Sequence, residues 1–349
     1  MRAAVLNDGK ILVRDDVPEP VPATGQVLVE VKACGICGSD LHFVKHGHKM
    51  MELGKQMQGM PMMGGGDRPE LDLKADIYMG HEFCAEVLEA GPDTETLKPG
   101  TIVTAMPVLL GPGGIEPIVY SNTTKGGYGE RMLLTAPLLL EVPNGLDPKY
   151  AALTEPMAVG LHGVNKSRIK KGEGAIVLGA GPVGLAIIAA LKVQGIEKIV
   201  AADFSPARRR IAEAMGAHVV VDPREETGWA AWSRSGNGLP PVVFEAIGVP
   251  GILDEILRAA PAQSRVVVVG VCMEHDTINP FFGISKELNV QFCLGYDPME
   301  FAGTLRSIAE GEIDVTPMIT GEVDLDGVAG AFDALGNPEE HCKILVVPN

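Results

Sequence analysis

The sequence has too little positive charge for a protein that works on nucleic acid or at an anionic membrane surface. Its 349 residues include 29 Lys and Arg against 45 Asp and Glu, which gives a formal net charge of −16 at pH 7. Nucleic acids and anionic membranes both select basic patches. We therefore expect neither as a partner, and a small molecule instead.

Features of secreted and membrane proteins are also missing. The six cysteines have no regular spacing and do not make a disulfide framework. The opening "MRAAVLNDGKILVRDD" meets charged residues before any long apolar run, so no signal peptide is visible. The uncharged stretch from Ala175 to Leu191 is interrupted by glycines and Pro182, whereas a membrane span needs about 20 unbroken apolar residues. We expect a cytoplasmic protein.

The chain is long enough for two domains, and its rhythm changes near residue 156. Before that point, short apolar runs such as "QVLVEVKACG" and "GTIVTAMP" alternate with Gly and Pro, which indicates an antiparallel, barrel-like domain. After it, strands such as "GAIVLGAG" and "KIVAAD" alternate with helices, which indicates a doubly wound parallel sheet of the Rossmann type. We predict domains over 1–155 and 156–290, with 291–349 returning to the first through the strand "CKILVVP".

The stretch "CGICGSDLH", Cys34 to His42, fits neither of the usual interpretations of two close cysteines. A zinc knuckle needs a second Cys or His pair within roughly 12 to 20 residues, yet the next cysteine, Cys84, stands alone. A thioredoxin-type redox pair needs a βαβ setting, whereas Val27 to Cys34 alternates like a strand of an antiparallel sheet. The stretch needs a third explanation.

A dinucleotide-binding fingerprint begins the second domain. "GAGPVG" follows an apolar strand and opens a helix, and Asp203 ends the next strand. The glycines allow a tight turn and a close approach of the backbone to a pyrophosphate. A carboxylate at Asp203 favours NAD over NADP, although the three arginines Arg208–Arg210 could receive a 2′-phosphate; we interpret these as a solvated helix face. The expected cofactor contacts are Gly179, Gly181, Pro182, Val183, Gly184, Asp203, Arg208, Val269 and Val271.

The order of several motifs resembles the zinc-dependent, medium-chain alcohol dehydrogenases over nearly the whole chain. These motifs are "CGICGSDLH", "GHE", "GGYGE", "TEPMAVGLHG", "GAGPVG" and Asp203. Glu-Pro in the fourth motif is similar to the sorbitol and threonine dehydrogenase branch. The resemblance implies a GroES-like catalytic domain beside the Rossmann domain, one catalytic zinc, and a homodimer or homotetramer.

The resemblance also assigns roles to residues of the first domain. It implies that Cys37 and His81 bind zinc with a carboxylate, either Glu82 or Glu155, while Cys34 is only a small buried residue. Asp40 would orient His81, Ser39 would take the proton of the substrate alcohol, and His42 would pass that proton to solvent. His162 is expected to be a packed residue of the connecting helix.

Two stretches depart from the family pattern. The segment "MPVLLGPGGIEPIVYSNTTKGGYGE" has no cysteine, so we expect no structural zinc there, and Leu109, Leu110 and Ile118 would have to pack in its place. A methionine-rich insertion over 43–79 could be a surface loop, an apolar lid over the substrate, or a copper site with His46 and His48. We favour the lid, because both ends of the insertion adjoin catalytic residues.

The sequence thus predicts oxidation of an alcohol by hydride transfer to NAD. One alternative is a zinc-free quinone or double-bond reductase of the same fold, and another is a catalytically silent member that acts as a binding protein. The substrate stays open among polyols, simple secondary alcohols and bulky alcohols.

Overall fold

The computed structural model describes residues 1–56, 71–111, 114–235 and 238–348. In chain order, the strands are β1 (Ala3–Asn7), β2 (Lys10–Arg14), β3 (Gln26–Gly35), β4 (Ile77–Tyr78), β5 (Glu82–Ala90), β6 (Ile102–Ala105), β7 (Val108–Gly111), β8 (Gly114–Pro117), β9 (Arg131–Thr135), β10 (Leu139–Glu141), β11 (Gly174–Leu178), β12 (Lys198–Ala202), β13 (Val219–Val221), β14 (Val242–Glu245), β15 (Arg265–Val268), β16 (Asn289–Phe292), β17 (Ile319–Val323) and β18 (Lys343–Val346). The helices are α1 (Gly38–Gln56), α2 (Pro148–Ala151), α3 (Thr154–Ser167), α4 (Pro182–Val193), α5 (Pro206–Met215), α6 (Gly228–Ser235), α7 (Ile252–Ala259), α8 (Pro280–Ser285), α9 (Pro298–Ala309) and α10 (Val328–Ala334).

The chain divides into two compact units. Unit 1 comprises Met1–Glu155, Ile319–Asn337 and Lys343–Asn349, and unit 2 comprises Pro156–Met318 and Pro338–Cys342. The chain therefore returns to unit 1 at Ile319, whereas the sequence analysis set the return at residue 291. β16 and α9 lie in the intervening stretch and belong to unit 2.

Unit 1 is built on a largely antiparallel sheet with the strand order β10-β6-β5-β3-β18-β17, and β9 pairs with β3. β3 carries Val27, Val29 and Val31 at alternate positions, all at most 1% exposed, so one face of the strand enters the core. β18 pairs antiparallel with β3, so the strand within "CKILVVP" lies in the sheet of unit 1. Unit 1 also contains a separate three-stranded sheet with the order β2-β1-β4.

The cysteine-free segment of unit 1 forms the hairpin β7–β8. Leu109 and Ile118 are 7% and 1% exposed and belong to the main core, as the sequence predicted. Leu110 is 39% exposed, so its predicted packing role is wrong. Its side chain points away from the core because residues alternate between the two faces of a strand.

Unit 2 is a six-stranded parallel sheet with the order β13-β12-β11-β14-β15-β16. This is the doubly wound order, and β11 is buried along its whole length, as a central parallel strand must be. α5 begins with Ser205 as N-cap, which accepts a hydrogen bond from the backbone N–H of Arg208, and with Pro206 at the first helical position, as the residue types favour. The Rossmann and GroES-like fold class is thus confirmed.

The methionine-rich insertion is only partly within the described residues. Its first part extends α1, which has a non-helical backbone at His46. Residues 57–70 lie outside the described residues, and with them most of the methionines on which the lid and copper interpretations depend.

Candidate metal and cofactor sites

The pairing of β3 with β5 brings the predicted metal ligands together. Cys37 lies just after β3, His81 and Glu82 lie at the start of β5, and Gly35 is the register partner of Glu82. A sulfur, an imidazole nitrogen and a carboxylate oxygen of Cys37, His81 and Glu82 all lie within 4.8 Å of one another. Among the residues that the structure describes, this is the one group of three Cys, His, Asp or Glu side chains with such spacing. Sulfur, nitrogen and oxygen donors of this kind suit Zn²⁺.

Backbone sterics leave little room around this group. Gly80, which precedes His81, has a φ of +99°, and a Cβ there would lie 2.7 Å from the backbone nitrogen of Tyr128. A Cβ on Gly35 would lie 2.0 Å from a carboxylate oxygen of Glu82. Glycine is therefore favoured at both positions, because a side chain at 80 would collide with the backbone at Tyr128 and one at 35 would displace the Glu82 carboxylate.

Asp40 faces His81 from inside the protein. Its Oδ1 lies 3.6 Å from Nδ1 of His81, which is too long for a hydrogen bond. Neither of these buried atoms has a hydrogen-bond partner. Its Oδ2 accepts hydrogen bonds from the hydroxyl of Tyr128 at 2.6 Å and from the backbone N–H of Cys37 at 3.2 Å. A carboxylate held against one ring nitrogen is the usual support for a histidine whose other nitrogen binds a metal. The two orphaned buried atoms therefore fit a metal-binding histidine.

The charges around His81 act on its protonation. Burial by itself lowers the pKa of His81, but the charges of Asp40, Cys37 and Glu155 raise it more, and the net pKa lies well above the ordinary value. Burial also raises the pKa of Asp40, against the opposing effects of His81 and Tyr128. A divalent cation would take the place of the proton that these negative groups attract.

Glu82 has a second partner that the sequence analysis missed. Nζ of Lys343 donates to both carboxylate oxygens of Glu82, at 2.8 and 2.7 Å, and to the carbonyl oxygen of Ile36 at 2.9 Å. The side chains of Lys343 and Glu82 are both fully buried. The anionic carboxylate beside Cys37 and His81 is thus compensated by a lysine 261 residues away in the sequence.

The other predicted catalytic residues lie on two helices. Glu155 is in the first turn of α3 and is outside the group of three, although its charge raises the pKa of His81. Ser39 and His42 lie in the first turns of α1. Desolvation, followed by the positive charges of His46 and Lys45, lowers the pKa of His42. Its neutral, proton-accepting form is therefore favoured near pH 7.

The cofactor motif in unit 2 has the geometry that its glycines predict. Gly179 follows β11 with a φ of +89°, and a Cβ on Gly184 would lie 1.9 Å from the carbonyl oxygen of Gly179. Gly181 is the N-cap of α4 and offers no side chain to the first backbone N–H groups of that helix. A helix N-terminus of this kind binds phosphate. The turn thus fits a dinucleotide.

Asp203 is fixed beside this turn. Its Oδ2 accepts a hydrogen bond from the backbone N–H of Ala180 at 2.7 Å, and its Oδ1 accepts one from Ser205 at 2.8 Å. Nη1 of Arg208 lies 3.8 Å from the place where a Cβ of Gly181 would stand. Asp203 and Arg208 therefore flank the glycine turn.

The remaining predicted cofactor residues lie at or near the carboxyl ends of the strands. Val183 is half-buried in the first turn of α4, Val269 is buried just after β15, and Val271 is 57% exposed. Ligands of open parallel sheets bind at this edge. Glu245, at the end of β14, was not predicted; its Oε1 accepts the backbone N–H groups of Ile247 and Gly248, both at 2.7 Å, and so holds the neighbouring loop.

Sequence signals existed for some of the missed residues. Tyr128 is the central residue of "GGYGE", and Lys343 is a charged residue at the head of an otherwise apolar strand.

His162 packs in unit 2 as expected, with Nδ1 2.7 Å from a carboxylate oxygen of Glu300. No helix in the described part of the chain is long and apolar enough to cross a membrane.

Known proteins match both units. The family description "Alcohol dehydrogenase GroES-like domain" matches residues 23–144, and "Zinc-binding dehydrogenase" matches residues 182–310. The (R,R)-butanediol dehydrogenase of Bacillus subtilis is 33% identical over 362 aligned positions that cover 100% of both chains. The sorbitol dehydrogenase of the same organism is 26% identical and covers 100% of this chain and 98% of its own.

Solved structures agree with these matches. The crystal structure of 2R,3R-butanediol dehydrogenase from Bacillus subtilis superposes with a TM-score of 0.81 at 32% identity, covering 100% of this chain and 99% of the other. A putative zinc-binding dehydrogenase from Sinorhizobium meliloti, solved with NADP bound, gives a TM-score of 0.79 at 30% identity, with 99% of each chain covered. The chain belongs to the zinc-dependent, medium-chain alcohol dehydrogenase family.

Proposed function

We propose that this chain oxidises an alcohol to an aldehyde or ketone with one zinc ion and with NAD as the hydride acceptor. The relatives establish the coarser statement: the chain is an oxidoreductase that acts on CH–OH donors and uses zinc and a nicotinamide cofactor. The observation that carries the finer proposal is the group of Cys37, His81 and Glu82, the last two of them buried, with Asp40 against His81.

Cys37 and His81 would hold the zinc, together with a carboxylate from Glu82 or Glu155. Bound zinc supplies a Lewis acid that makes the alcohol hydroxyl more acidic. Asp40 keeps the imidazole of His81 oriented, and Tyr128 and the backbone of Cys37 keep Asp40 in place. Lys343 compensates the negative charge of the fully buried Glu82 carboxylate.

Ser39 and His42 would remove the hydroxyl proton. Ser39 accepts it from the substrate oxygen, and His42 passes it on toward solvent. The lowered pKa of His42 supports this role, because a neutral imidazole is needed to accept a proton.

NAD is the proposed cofactor because Asp203 presents a carboxylate next to the glycine turn. Asp203 is held there by two backbone N–H groups. A carboxylate in this position accepts hydrogen bonds from ribose hydroxyls and repels a 2′-phosphate. The Sinorhizobium meliloti neighbour was solved with NADP, so NADP is the alternative to be measured.

A small alcohol with a neighbouring hydroxyl is the proposed substrate class. Two relatives that span the whole chain, at 33% and 31% identity, are (R,R)-butanediol dehydrogenases from Bacillus subtilis and Neisseria gonorrhoeae. Initial rates with vicinal diols, longer polyols, simple secondary alcohols and bulky alcohols test this class. Higher kcat/KM for the bulky alcohols than for 2,3-butanediol would reject it.

Metal analysis of the purified protein, combined with NADH formation, tests the function. We expect about one zinc per chain, and loss of both zinc and activity in Cys37→Ser; Cys272→Ser, which changes an exposed cysteine of unit 2, should retain both. A zinc-free reductase would contain no zinc and would reduce activated double bonds. A silent family member would bind zinc and form no NADH.

We further propose a homodimer or homotetramer that forms through β16. β16 is the edge strand of the parallel sheet. Phe292, its last residue, and Leu294, two residues further on, are 65% and 78% exposed. Exposed edges with apolar side chains pair readily with a second copy. Light scattering should give the mass of a dimer or tetramer for the wild-type chain and a lower average mass for Phe292→Asp. A monomeric wild-type chain would refute the proposed oligomer. The cytoplasmic location stays a prediction.

A further inference from the structure

Two arginines lie next to the backbone of Asp203 without being free for a ligand. Nη1 of Arg209 donates to the carbonyl oxygens of Asp203 and Phe204, at 2.6 and 2.9 Å. Nη2 of Arg224 donates to the carbonyl oxygen of Phe204 at 2.8 Å, and its guanidinium lies 5.6 Å from the centre of the Phe204 ring. Arg209 thus contacts the backbone of Asp203, the residue that we propose selects NAD, and Arg224 contacts the backbone of its neighbour Phe204. The sequence analysis expected Arg209 to be solvated, but its side chain is only 19% exposed.

One carboxylate holds both guanidinium groups. Oδ2 of Asp222 accepts from Nη1 of Arg209 at 3.0 Å, and Asp222 accepts from Nε and Nη2 of Arg224 at 2.8 and 2.5 Å. The contact with Arg224 is the two-pronged geometry that guanidinium groups also use for phosphate. The side chain of Asp222 is 9% exposed. These arginines lower its pKa, so it is fully ionised at neutral pH.

The formal charges of four side chains, those of Asp203, Asp222, Arg209 and Arg224, cancel one another. Asp203 and Asp222 contribute two negative charges, and Arg209 and Arg224 contribute two positive ones. A 2′-phosphate adds about two further negative charges. With Asp222 present it would have to displace a carboxylate from the arginines. Without Asp222, the carboxylate that both guanidinium groups share would be gone, although Glu225 and Glu339 would still act on Arg224.

We propose that Asp222 withholds Arg209 and Arg224 from the cofactor, so that Asp222 acts with Asp203 to exclude a 2′-phosphate. This inference rests on the proposed cofactor site. It names Asp222 as a specificity-determining residue that acts through the two arginines. Arg208 flanks the glycine turn on the side of Gly181, and it is left unchanged in every variant of the test below.

Calorimetric binding of 5′-AMP and of 2′,5′-ADP to the full-length, zinc-containing chain tests the proposal without turnover. We expect Asp222→Asn to raise the affinity for 2′,5′-ADP relative to 5′-AMP by roughly tenfold or more, since it frees charge-assisted hydrogen bonds. Adding Arg209→Gln and Arg224→Gln to Asp222→Asn should abolish the gain. Asp254→Asn, which removes the separate ion pair with Arg258, is the control and should leave the ratio unchanged.

Single arginine variants keep the test decisive if Asp222→Asn does not fold. In the otherwise unchanged chain, Arg209→Gln and Arg224→Gln should leave the ratio within about twofold, because neither guanidinium is available to a phosphate. A tenfold loss of 2′,5′-ADP affinity in either variant would overturn the proposal. So would an unchanged ratio in a folded Asp222→Asn. A wild-type chain that binds neither fragment overturns the cofactor site and this inference together, whereas fragment binding without alcohol oxidation rejects only the proposed function.

Discussion

The proposed metal site of unit 1 and the proposed cofactor site of unit 2 are assembled over different distances along the chain. In the cofactor site, Asp203 bonds to Ala180 and Ser205, which are 23 and 2 residues away. In the metal site, Asp40 bonds to Tyr128 over 88 residues, and Glu82 pairs with Lys343 over 261 residues. The glycine turn and Asp203 are therefore encoded in one strand–turn–helix unit and the strand that follows it, whereas the proposed metal site exists only when the sheet of unit 1 has formed.

This difference predicts that the metal site depends on groups that look unrelated to it in the sequence. The largest effect is expected for Lys343→Met, which leaves the buried carboxylate of Glu82 without its cation. Breaking a buried ion pair in this way costs about 3–5 kcal/mol of unfolding free energy. Denaturant unfolding of the metal-free chain measures it.

The matched control is Lys149→Met, because Lys149 pairs with Glu322 at the surface of the same unit. Exposed pairs contribute only about 0–1 kcal/mol. Equal losses in the two variants would show that burial of the Lys343–Glu82 pair has no energetic importance.

The cofactor site should respond to changes at its local turn. Gly184→Ala places a Cβ 1.9 Å from the carbonyl oxygen of Gly179. We expect a destabilisation of about 1–3 kcal/mol and weaker NAD binding, because helix and turn must move apart. Fluorescence titration with NADH measures the binding.

Gly303→Ala, in the middle of α9, is the control for that change. A Cβ at Gly303 has open space, and alanine favours a helix by up to about 1 kcal/mol. If both alanine variants bind NADH equally well, the turn does not require a glycine at 184.

A smaller effect is expected for Tyr128→Phe, which removes one hydrogen bond to Asp40. Asp40 then holds His81 less firmly, and zinc affinity should fall about 10–100-fold, as for other groups that support a metal ligand. Competition with a zinc chelator measures the affinity, and Tyr150→Phe serves as the control. Unchanged zinc affinity in Tyr128→Phe would remove Asp40 and Tyr128 from the account of the site.

The smallest effect is expected for His42→Gln, as a change of pH dependence. The lowered pKa of His42 means that its neutral form persists to a lower pH than in an ordinary histidine, so kcat/KM for alcohol oxidation should fall only at a pH below the ordinary histidine pKa. Glutamine cannot titrate, so this acidic limb should disappear and the rate near neutral pH should drop about tenfold or less. An acidic limb that stays in place in His42→Gln would assign it to another group.

The difference between local and long-range contacts also explains which features could be predicted from the sequence. The alternation of strands and helices in unit 2 and the glycine turn follow from local patterns, and the structure agrees with them. Lys343 could not be placed, because only the pairing of β18 with β3 brings it to Glu82. β16 was missed because it is exposed and lacks the apolar run that marks the inner strands.

The most direct test of the account is a crystal of the zinc-containing protein, with anomalous diffraction recorded on both sides of the zinc absorption edge. The account predicts one strong peak about 2.3 Å from Sγ of Cys37 and about 2.0–2.1 Å from a ring nitrogen of His81, with Asp40 hydrogen-bonded to the other nitrogen. A fully loaded crystal with its zinc elsewhere, and with Cys37 and His81 binding no metal, would contradict it.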